Sequence, residues 1–471
     1  MIDWAAGTCA GVSLATAARI AWLYWSGPAS VFLRVKSSVW VALAWTFARG
    51  EFYRPVLAAN GYGGTRYMPL LFVLHGLLIR AGADPIWSGV ALMHTTVAAA
   101  AAALFVALRR VGVDARLAAP LAATVWGTVI FQQSATDLSP DYLAAALSLA
   151  AASIAYSRAP ATPRGRSIAA GLLFALAATA KITAIAFAAP VVAVLWADGR
   201  RAAASRVAVW TAIGVVAMVA AIDAASAGRF HASFLASATA GLTIGEVVGA
   251  APQFVRELAI KPFDVGVPFA IAAWCVVTTR RRTWAHAYFA AAIVIAVAIF
   301  AAPGTASNHL VDLHLASILV VGVSLVRREL SERVGAAMFG ATAAMLVAIT
   351  IPLPGIPSVV ADVRAAMPRP RDAARALHAE FLTRGPYLAI DPIVPVLNGD
   401  RPWVIDYGSI ERYYVEGTPA GRDFEARVRR HFFTAIVLPD GYESEITPLL
   451  RETYPRVAER KPFVVRLPAA D

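Results

Sequence analysis

The sequence predicts an α-helical polytopic membrane protein with about 11 transmembrane helices, surface helices on the outer face, and a small C-terminal α/β domain outside the membrane. Hydrophobic residues make up 59% of the 471 residues and charged residues only 15%. Soluble chains are roughly 45–50% apolar and about 25% charged. The apolar residues also fall into long runs, which the core of a soluble protein does not require. Most of the chain is therefore expected to lie in a bilayer.

Eleven apolar runs are candidates for the spans. A span needs roughly 17–25 residues, and several runs are shorter, so their limits are expected to hold only to a few residues. The runs are Trp4–Ser26, Ile86–Leu108, Leu117–Gln132, Tyr142–Tyr156, Ile168–Ala180, Ile182–Ala197, Val207–Ala225, Pro262–Thr278, Trp284–Ala302, Leu310–Val326 and Val334–Ile351.

Arginine residues cluster in five short loops between these runs, at 109–116, 158–166, 200–206, 280–282 and 327–333. If these loops are cytoplasmic, all five alternate correctly with the apolar runs. The N-terminus then lies on the cytoplasmic side, and the C-terminal domain lies on the outer face of the membrane. Topology thus explains the net charge of +12. No basic stripe interleaved with aromatic residues suggests nucleic acid as a partner.

The chain divides into a membrane module (1–352), a proline-rich linker (353–370) and a soluble α/β domain (371–471). Within the module, a first outer loop at 27–85 carries two predicted surface helices, Val39–Arg49 and Tyr67–Ile79. A second outer loop at 226–261 contains a further helical stretch, Val247–Leu258. In the soluble domain, the pattern predicts helices at Ala373–Thr383, Phe424–His431 and Glu443–Tyr454, and strands at Tyr387–Ile390, Ala435–Leu438 and Phe463–Leu467.

On this topology, ionisable and polar residues collect at the outer face, where they are candidates for function. The set comprises Arg66, Tyr67, Asp137, Asp141, Lys181, Asn308, His309, Asp312 and His314. Each has an ordinary structural alternative. The aspartates at 137 and 141 can cap a helix, Lys181 can reach the headgroups, and the residues from Asn308 onward can form a polar helix start. Cys9 and Cys275 lie in apolar runs and form no zinc spacing. No cofactor is expected, although a divalent metal at the cluster of residues 308–314 stays open.

Five stretches together resemble the GT-C superfamily of membrane glycosyltransferases, and most closely the bacterial group of protein O-mannosyltransferases, aminoarabinose transferase and core galacturonosyltransferases. The C-terminal α/β domain is also common in that group. The five stretches occur in the family's order along most of the chain. They are ARGEFYRP (48–55), TRYMPL (65–70), DLSPDYL (137–143), LAATAKIT (176–183) and NHLVD (308–312).

The resemblance implies transfer of a sugar from a polyprenyl-phosphate donor to a hydroxyl of a glycolipid, a glycan or a protein in the cell envelope. A carboxylate would act as general base on the hydroxyl, and Lys181, helped by Arg66, would stabilise the departing lipid phosphate. Four further residues are expected to contact donor or acceptor: Glu51, Tyr67, Asn308 and His309.

The sequence departs from the family at one point. The family carries an acid just after the first span, whereas Gly27–Ser38 contains none. The base is then expected to be Asp137 or Asp141, with Asp137 slightly favoured and Glu51 next. Alternatively, the chain is a non-catalytic accessory or binding protein. A transporter or flippase of lipid-linked sugars is the remaining alternative, but such folds often carry internal repeats, and no repeat is visible here.

Overall fold

The structure is a computed structural model that describes residues 1–26, 35–128, 138–156, 164–238, 243–260, 265–279, 281–301, 305, 307–350 and 370–469. The predicted base Asp137 and the predicted linker, apart from Pro370, lie outside these residues.

Fifteen helices precede the C-terminal domain in the described part of the chain. Their apolar faces are rich in alanine and leucine, which favour helix over other backbone conformations. They are α1 (Ile2–Ser26), α2 (Val35–Ala48), α3 (Leu70–Arg80), α4 (Pro85–Val111), α5 (Ala115–Ala123), α6 (Asp141–Ala155), α7 (Arg164–Ala180), α8 (Ala188–Ala197), α9 (Arg201–Ala225), α10 (Arg229–Ala238), α11 (Ile244–Ile260), α12 (Val267–Thr278), α13 (Trp284–Phe300), α14 (Val311–Val326) and α15 (Glu332–Thr350).

Three helical segments of the described chain are both long and apolar enough to cross a bilayer: Pro85–Val111, Arg201–Ala225 and Asn308–Val326. The other apolar helices there are shorter or less apolar, so the count of about 11 spans stays a prediction. The third segment lies at the centre of the bundle. Every residue of α14 from Val311 to Ser324 is buried, and the helix packs against α12 and α13. Polar residues at the start of α14 are therefore surrounded by protein.

The first loop forms both predicted helices, as α2 and α3. Between them lies a two-stranded antiparallel hairpin, β1 (Leu57–Ala58) and β2 (Gly61–Tyr62). Unlike the expected surface helix, α2 is covered: Val39 to Trp45 are each at most 4% exposed. The physical reason is that α2 is apolar on every side, and a helix without a polar face is stable only when it is enclosed.

The C-terminal domain is built on a mixed four-stranded sheet of order β3-β4-β6-β5. Its strands are β3 (Tyr387–Ala389), β4 (Ala435–Pro439), β5 (Arg456–Arg460) and β6 (Phe463–Leu467); β3 and β4 are parallel and the other pairs antiparallel. Five helices accompany it: α16 (Pro370–Leu377), α17 (Ile393–Asn398), α18 (Tyr407–Val415), α19 (Pro419–Arg429) and α20 (Thr447–Thr453). The three predicted strands are present. Strand β5 was missed because it is largely exposed and lacks an apolar face.

The C-terminal domain docks onto the first loop through a buried arginine. The side chain of Arg54 is 0% exposed and forms an ion pair with Glu51 at 3.0 Å. It also donates a hydrogen bond to the carbonyl oxygen of Pro402 in the C-terminal domain. Arg401 approaches Glu51 from the other side. Glu51 therefore joins two parts of the chain that are 350 residues apart.

The second loop adds a further contact to this assembly. The helix expected there is present as α11, and a shorter helix, α10, precedes it. The guanidinium of Arg229 donates to the carbonyl of Tyr53 at 3.3 Å, and the ring of Phe230 lies 5.3 Å from that of Tyr53. Arg412 of α18 donates to the carbonyl of Ser237 at 2.9 Å. The first loop, the second loop and the C-terminal domain thus cover one end of the bundle together.

Candidate functional site

A cluster of polar side chains is assembled around the carboxylate of Asp141. This residue lies in the first turn of α6, and Pro140 before it is placed where proline favours a helix start. One carboxylate oxygen accepts a hydrogen bond from Lys181 Nζ at 2.6 Å. The other accepts from Asn308 Nδ2 at 2.6 Å and from Ser139 Oγ at 2.9 Å. The side chain of Asp141 is only 2% exposed. Because its oxygens are already paired, this carboxylate is a poor acceptor for a further proton.

Lys181 occupies the break between α7 and a short 3₁₀ helix, Ile182–Phe187. Its backbone is extended, with φ −151° and ψ 117°, so it stands apart from both helices. Besides the bond to Asp141, Nζ lies 2.9 Å from His309 Nδ1. An ammonium group has three donors, and among the described residues these two partners use two of them. With the side chain 11% exposed, Lys181 can offer its remaining donor to an anion entering the site.

Asn308 and His309 come from a 3₁₀ turn, Ser307–Leu310, that leads into α14. His309 Nδ1 also lies 3.4 Å from the Asp141 carboxylate, and the ring is 24% exposed. Because Nδ1 faces the lysine ammonium, a neutral His309 accepts there and carries its proton on Nε2. Three elements, namely α6, the break after α7 and the entry to α14, therefore bring four of the predicted residues together.

The predicted polar cluster at residues 308–314 does not converge on one point. Asp312 and His314 are 8% and 4% exposed and lie inside α14. His314 borders a small cavity with Thr124, Thr128 and Thr342. In the described part of the chain, no three His, Cys, Asp or Glu residues are grouped as metal ligands. Binding of a divalent metal therefore stays a prediction, because the described residues include no such cluster of ligands.

Arg66 and Tyr67 lie in the extended segment that connects β2 to α3. The Tyr67 ring lies 4.4 Å from that of Trp40, and its carbonyl accepts from the Tyr53 hydroxyl at 2.8 Å. Burial raises the pKa of the Tyr67 hydroxyl; the Asp406 carboxylate raises it further, and that of Asp141 does so to a smaller extent. Tyr67 is thus within electrostatic range of the Asp141 cluster and of the C-terminal domain.

Glu51 lies outside this cluster, in the ion pairs with Arg54 and Arg401. Burial alone would raise its pKa, but hydrogen bonds and charge from the two arginines outweigh burial and hold the pKa below its usual range. Both oxygens of the Glu51 carboxylate therefore form ion pairs that hold the C-terminal domain against the first loop. The structure places Glu51 in this contact, and its predicted role in substrate binding stays a prediction.

Two residues at this end of the molecule were not singled out from the sequence. Ser139 completes the set of donors to Asp141, and Asp406 of the C-terminal domain reaches the neighbourhood of Arg66 and Tyr67. No sequence pattern marks either residue as functional. Ser139 precedes a proline in an ordinary helix start, and Asp406 stands where an aspartate is expected to cap a helix.

Solved structures share this fold. ArnT, the aminoarabinose transferase, from Cupriavidus metallidurans bound to undecaprenyl phosphate aligns with a TM-score of 0.61 at 14% identity, covering 98% of each chain. The Archaeoglobus fulgidus oligosaccharyltransferase tethered with an acceptor peptide aligns with a TM-score of 0.55 at 12% identity, over 91% of this chain and 68% of that one. The fold is that of the GT-C membrane glycosyltransferases. Neither a protein-family profile nor a curated protein sequence matches the chain.

The GT-C resemblance predicted from five short stretches is therefore confirmed at the level of the fold. The chain is mainly helical with a small C-terminal sheet, and three of its described helical segments are long and apolar enough to cross a membrane. At 14% identity, structural similarity by itself does not identify a substrate.

Proposed function

We propose that this protein is a membrane glycosyltransferase that moves a sugar from a polyprenyl-phosphate donor to a hydroxyl group of an envelope acceptor. The observation that carries the proposal is the cluster of Lys181, Asp141, Asn308 and His309. It places a cation with a donor to spare at the end of the bundle beneath the C-terminal domain. Two solved structures that share the fold contain bound undecaprenyl phosphate and dolichol phosphate, respectively.

Lys181 is suited to the leaving group of this reaction. When the bond from the anomeric carbon to the phosphate oxygen breaks, negative charge grows on the lipid phosphate. A fixed cation in a site of low dielectric stabilises that charge without reorganising during the reaction. Asp141, which itself accepts from Asn308 and Ser139, holds Lys181 in place. Asp141 therefore acts as a positioning residue.

Arg66 adds a second positive charge to that of the lysine, and His309 adds a neutral hydrogen-bond donor. The Nε2–H of a neutral His309 is a donor suited to a phosphate oxygen. Arg66 is exposed and supplies a permanent charge on the same side of the molecule as Tyr67. Substrate contacts of both residues are part of the proposal.

The arginine-rich loops support a periplasmic position for this end of the protein. The site would then face the outer leaflet of a bacterial inner membrane, where polyprenyl-phosphate sugars are presented to envelope acceptors. The first loop, the second loop and the C-terminal domain would form the roof beneath which the acceptor enters.

The test is turnover by the purified protein in nanodiscs. A panel of undecaprenyl-phosphate-linked sugars, including aminoarabinose, mannose and galacturonic acid, is incubated with an envelope glycolipid extract, and release of undecaprenyl phosphate is measured. Lys181→Ala is expected to abolish release. Lys461→Ala is the matched control, because Lys461 is an exposed lysine in the turn between β5 and β6. Equal release by the two variants would count against the proposed role of Lys181.

A non-catalytic binding protein is the second candidate. It is favoured by the absence of an acid from Gly27–Ser38 and by the complete pairing of Asp141. Such a protein would bind undecaprenyl phosphate through Lys181 without consuming any donor. In the same assay it would show saturable binding and no acceptor-dependent release.

A further inference from the structure

The reaction proposed above needs a base for the acceptor hydroxyl, and two of the expected carboxylates are poorly suited to it. Asp141 accepts three hydrogen bonds within 2.9 Å. Glu51 is bound by two arginines, which hold its pKa low. A general base works best when its pKa lies near the working pH and the carboxylate can reach the proton. The proposed reaction therefore needs another acid at this end of the bundle.

The C-terminal domain presents such an acid on a segment that is fixed to the first loop. Tyr62 donates its backbone N–H to the Trp403 carbonyl at 2.6 Å, and Tyr62 forms a parallel bridge with Val404. Arg54 holds the neighbouring carbonyl of Pro402. These contacts involve backbone atoms and a fully buried side chain, so they define the position of the segment that follows. That segment ends at Asp406.

The approach is too close for any side chain on the facing glycines of the first loop. A Cβ on Gly61 would lie 2.7 Å from the Trp403 carbonyl oxygen, and one on Gly64 would lie 2.0 Å from the Tyr413 hydroxyl. Both glycines also have positive φ, +143° and +91°. The glycines at 61 and 64 thus let the C-terminal domain approach until Asp406 reaches the neighbourhood of Arg66 and Tyr67.

Asp406 also has chemical surroundings that suit a base. One carboxylate oxygen accepts from the backbone N–H of Gly408 at 3.2 Å, which caps α18. Burial raises the pKa of Asp406, and the positive charge of Arg66 and hydrogen bonds from Gly408 and Ser409 lower it by less. Among the described residues, the ionisable groups in electrostatic range of Asp406 include Arg66, Tyr67, Tyr407 and Tyr413, and the phenols stay neutral at working pH. Leu70, three residues after Tyr67, packs against the cluster that contains Ala144 and Ala180, which lie close to Asp141 and Lys181 along the chain. Asp406 and the Lys181 cluster therefore lie at the same end of the bundle.

We propose that Asp406 is the general base that activates the acceptor hydroxyl, supplied by the C-terminal domain in place of an acid after the first span. This assignment rests on the proposed function. The acceptor O–H transfers its proton to the Asp406 carboxylate while its oxygen forms a bond to the anomeric carbon. The bond from that carbon to the phosphate oxygen breaks, and the electron pair leaves with the polyprenyl phosphate at Lys181. Bonds and charges balance without any further reactant.

Asp406→Asn separates this role from simple capping, because asparagine caps a helix as well as aspartate does. The base assignment predicts a fall in kcat of about 10²–10⁴-fold, with unchanged affinity for undecaprenyl phosphate. In the wild type, kcat/KM falls as the pH drops and Asp406 is protonated. That acid limb is expected to disappear in the residual activity of the variant. Asp406→Glu retains a carboxylate and is expected to lose less activity than Asp406→Asn.

Asp114→Asn is the matched control. Asp114 caps α5 in the same way, by accepting from the Arg116 backbone N–H at 2.8 Å, and it lies in the loop predicted to face the cytoplasm. It is expected to leave kcat unchanged. If Asp406→Asn retains a rate within threefold of the control, or if Asp137→Asn alone removes the acid limb, the assignment is overturned. A wild type that binds undecaprenyl phosphate but consumes no donor overturns the proposed function itself, and the assignment with it.

Discussion

The ammonium of Lys181 lies 2.6 Å from the carboxylate of Asp141, and the side chains are 11% and 2% exposed. The pair joins the start of α6 to the break after α7. Burying two charges costs several kcal/mol per ion, and the fold recovers that cost only when the pair is complete. A pair of this kind is weak support for stability alone, so its presence at the covered end of the bundle agrees with a role in binding an anion.

The first prediction concerns the coupling of this pair. Lys181→Ala leaves a buried, uncompensated carboxylate, so we expect the free energy of unfolding to fall by about 3–5 kcal/mol. The double variant Lys181→Ala/Asp141→Ala removes both charges and is expected to be less destabilised than the sum of the single variants. Unfolding in detergent, followed for all three variants, measures the coupling energy. Strict additivity would show that the two side chains do not stabilise one another.

The second prediction concerns the two arginines that bind Glu51. Arg54→Ala removes a fully buried guanidinium, leaves the Pro402 carbonyl without its donor and leaves Glu51 paired with Arg401 alone. We expect it to cost about 3–5 kcal/mol. Arg401 is 42% exposed, so Arg401→Ala is expected to cost at most about 1 kcal/mol. Thermal unfolding of the two variants in one detergent provides the comparison, and equal losses would contradict it.

The same contact is expected to depend on pH. The pKa of Glu51 is lower in the folded protein than in the unfolded chain. Its ion pairs therefore contribute stability above the ordinary pKa of glutamate, about 4.3, and lose it as the pH falls through the lower folded value. Glu51→Gln removes this contribution. The stability difference between wild type and Glu51→Gln should thus be largest at neutral pH and shrink in acid.

The third prediction tests the close approach at Gly64. Gly64→Ala places a Cβ 2.0 Å from the Tyr413 hydroxyl at a φ of +91°, so it should displace the C-terminal domain as well as strain the backbone. Gly82→Ala is the matched control, because Gly82 has a φ of +95° with no atom within 4 Å of the added Cβ. Both variants carry the backbone cost of about 1 kcal/mol. Only Gly64→Ala is expected to increase proteolytic release of the C-terminal domain.

The fourth prediction concerns Asp391, which is 4% exposed and accepts from the Ile393 backbone N–H at 3.0 Å. Burial raises its pKa to about 6. A carboxyl whose pKa is raised on folding destabilises the fold once the pH exceeds its unfolded value, and the full cost applies above pH 6. Asp391→Asn retains an acceptor without the charge. We expect it to stabilise the protein by about 1–3 kcal/mol at pH 8 and to have no effect near pH 4.

The membrane module was largely predictable because its signals are local. Lys181 interrupts apolar sequence, and an ionisable residue at such a point is uncommon. Asp141 follows a proline at a helix start, and Asn308 opens an apolar run. All three residues are now found in contact, although they lie up to 167 residues apart. The predicted alternation of the spans places all three on one side of the membrane, which agrees with their meeting here.

The contacts of the C-terminal domain could not be predicted in this way. Glu51 was expected near the substrate because it lies in a stretch of the first loop that resembles a family motif, but its second partner, Arg401, is 350 residues away. A soluble domain of low hydrophobic content has no alternation rule that fixes which surface meets the membrane module. The sequence therefore indicates only a helix-capping role for Asp406. The packing of α2 against α3 and α17 was not predicted either.

The central claim is that Lys181 stabilises a polyprenyl phosphate as it leaves a sugar. The most direct measurement is acceptor-dependent release of undecaprenyl phosphate from an undecaprenyl-phosphate-linked sugar by wild type, Lys181→Ala and Lys461→Ala in nanodiscs. We expect the wild type and Lys461→Ala to release undecaprenyl phosphate, and Lys181→Ala to release none. Wild-type protein that binds undecaprenyl phosphate but releases none from any donor of the panel would contradict the proposed transferase function and identify a binding protein.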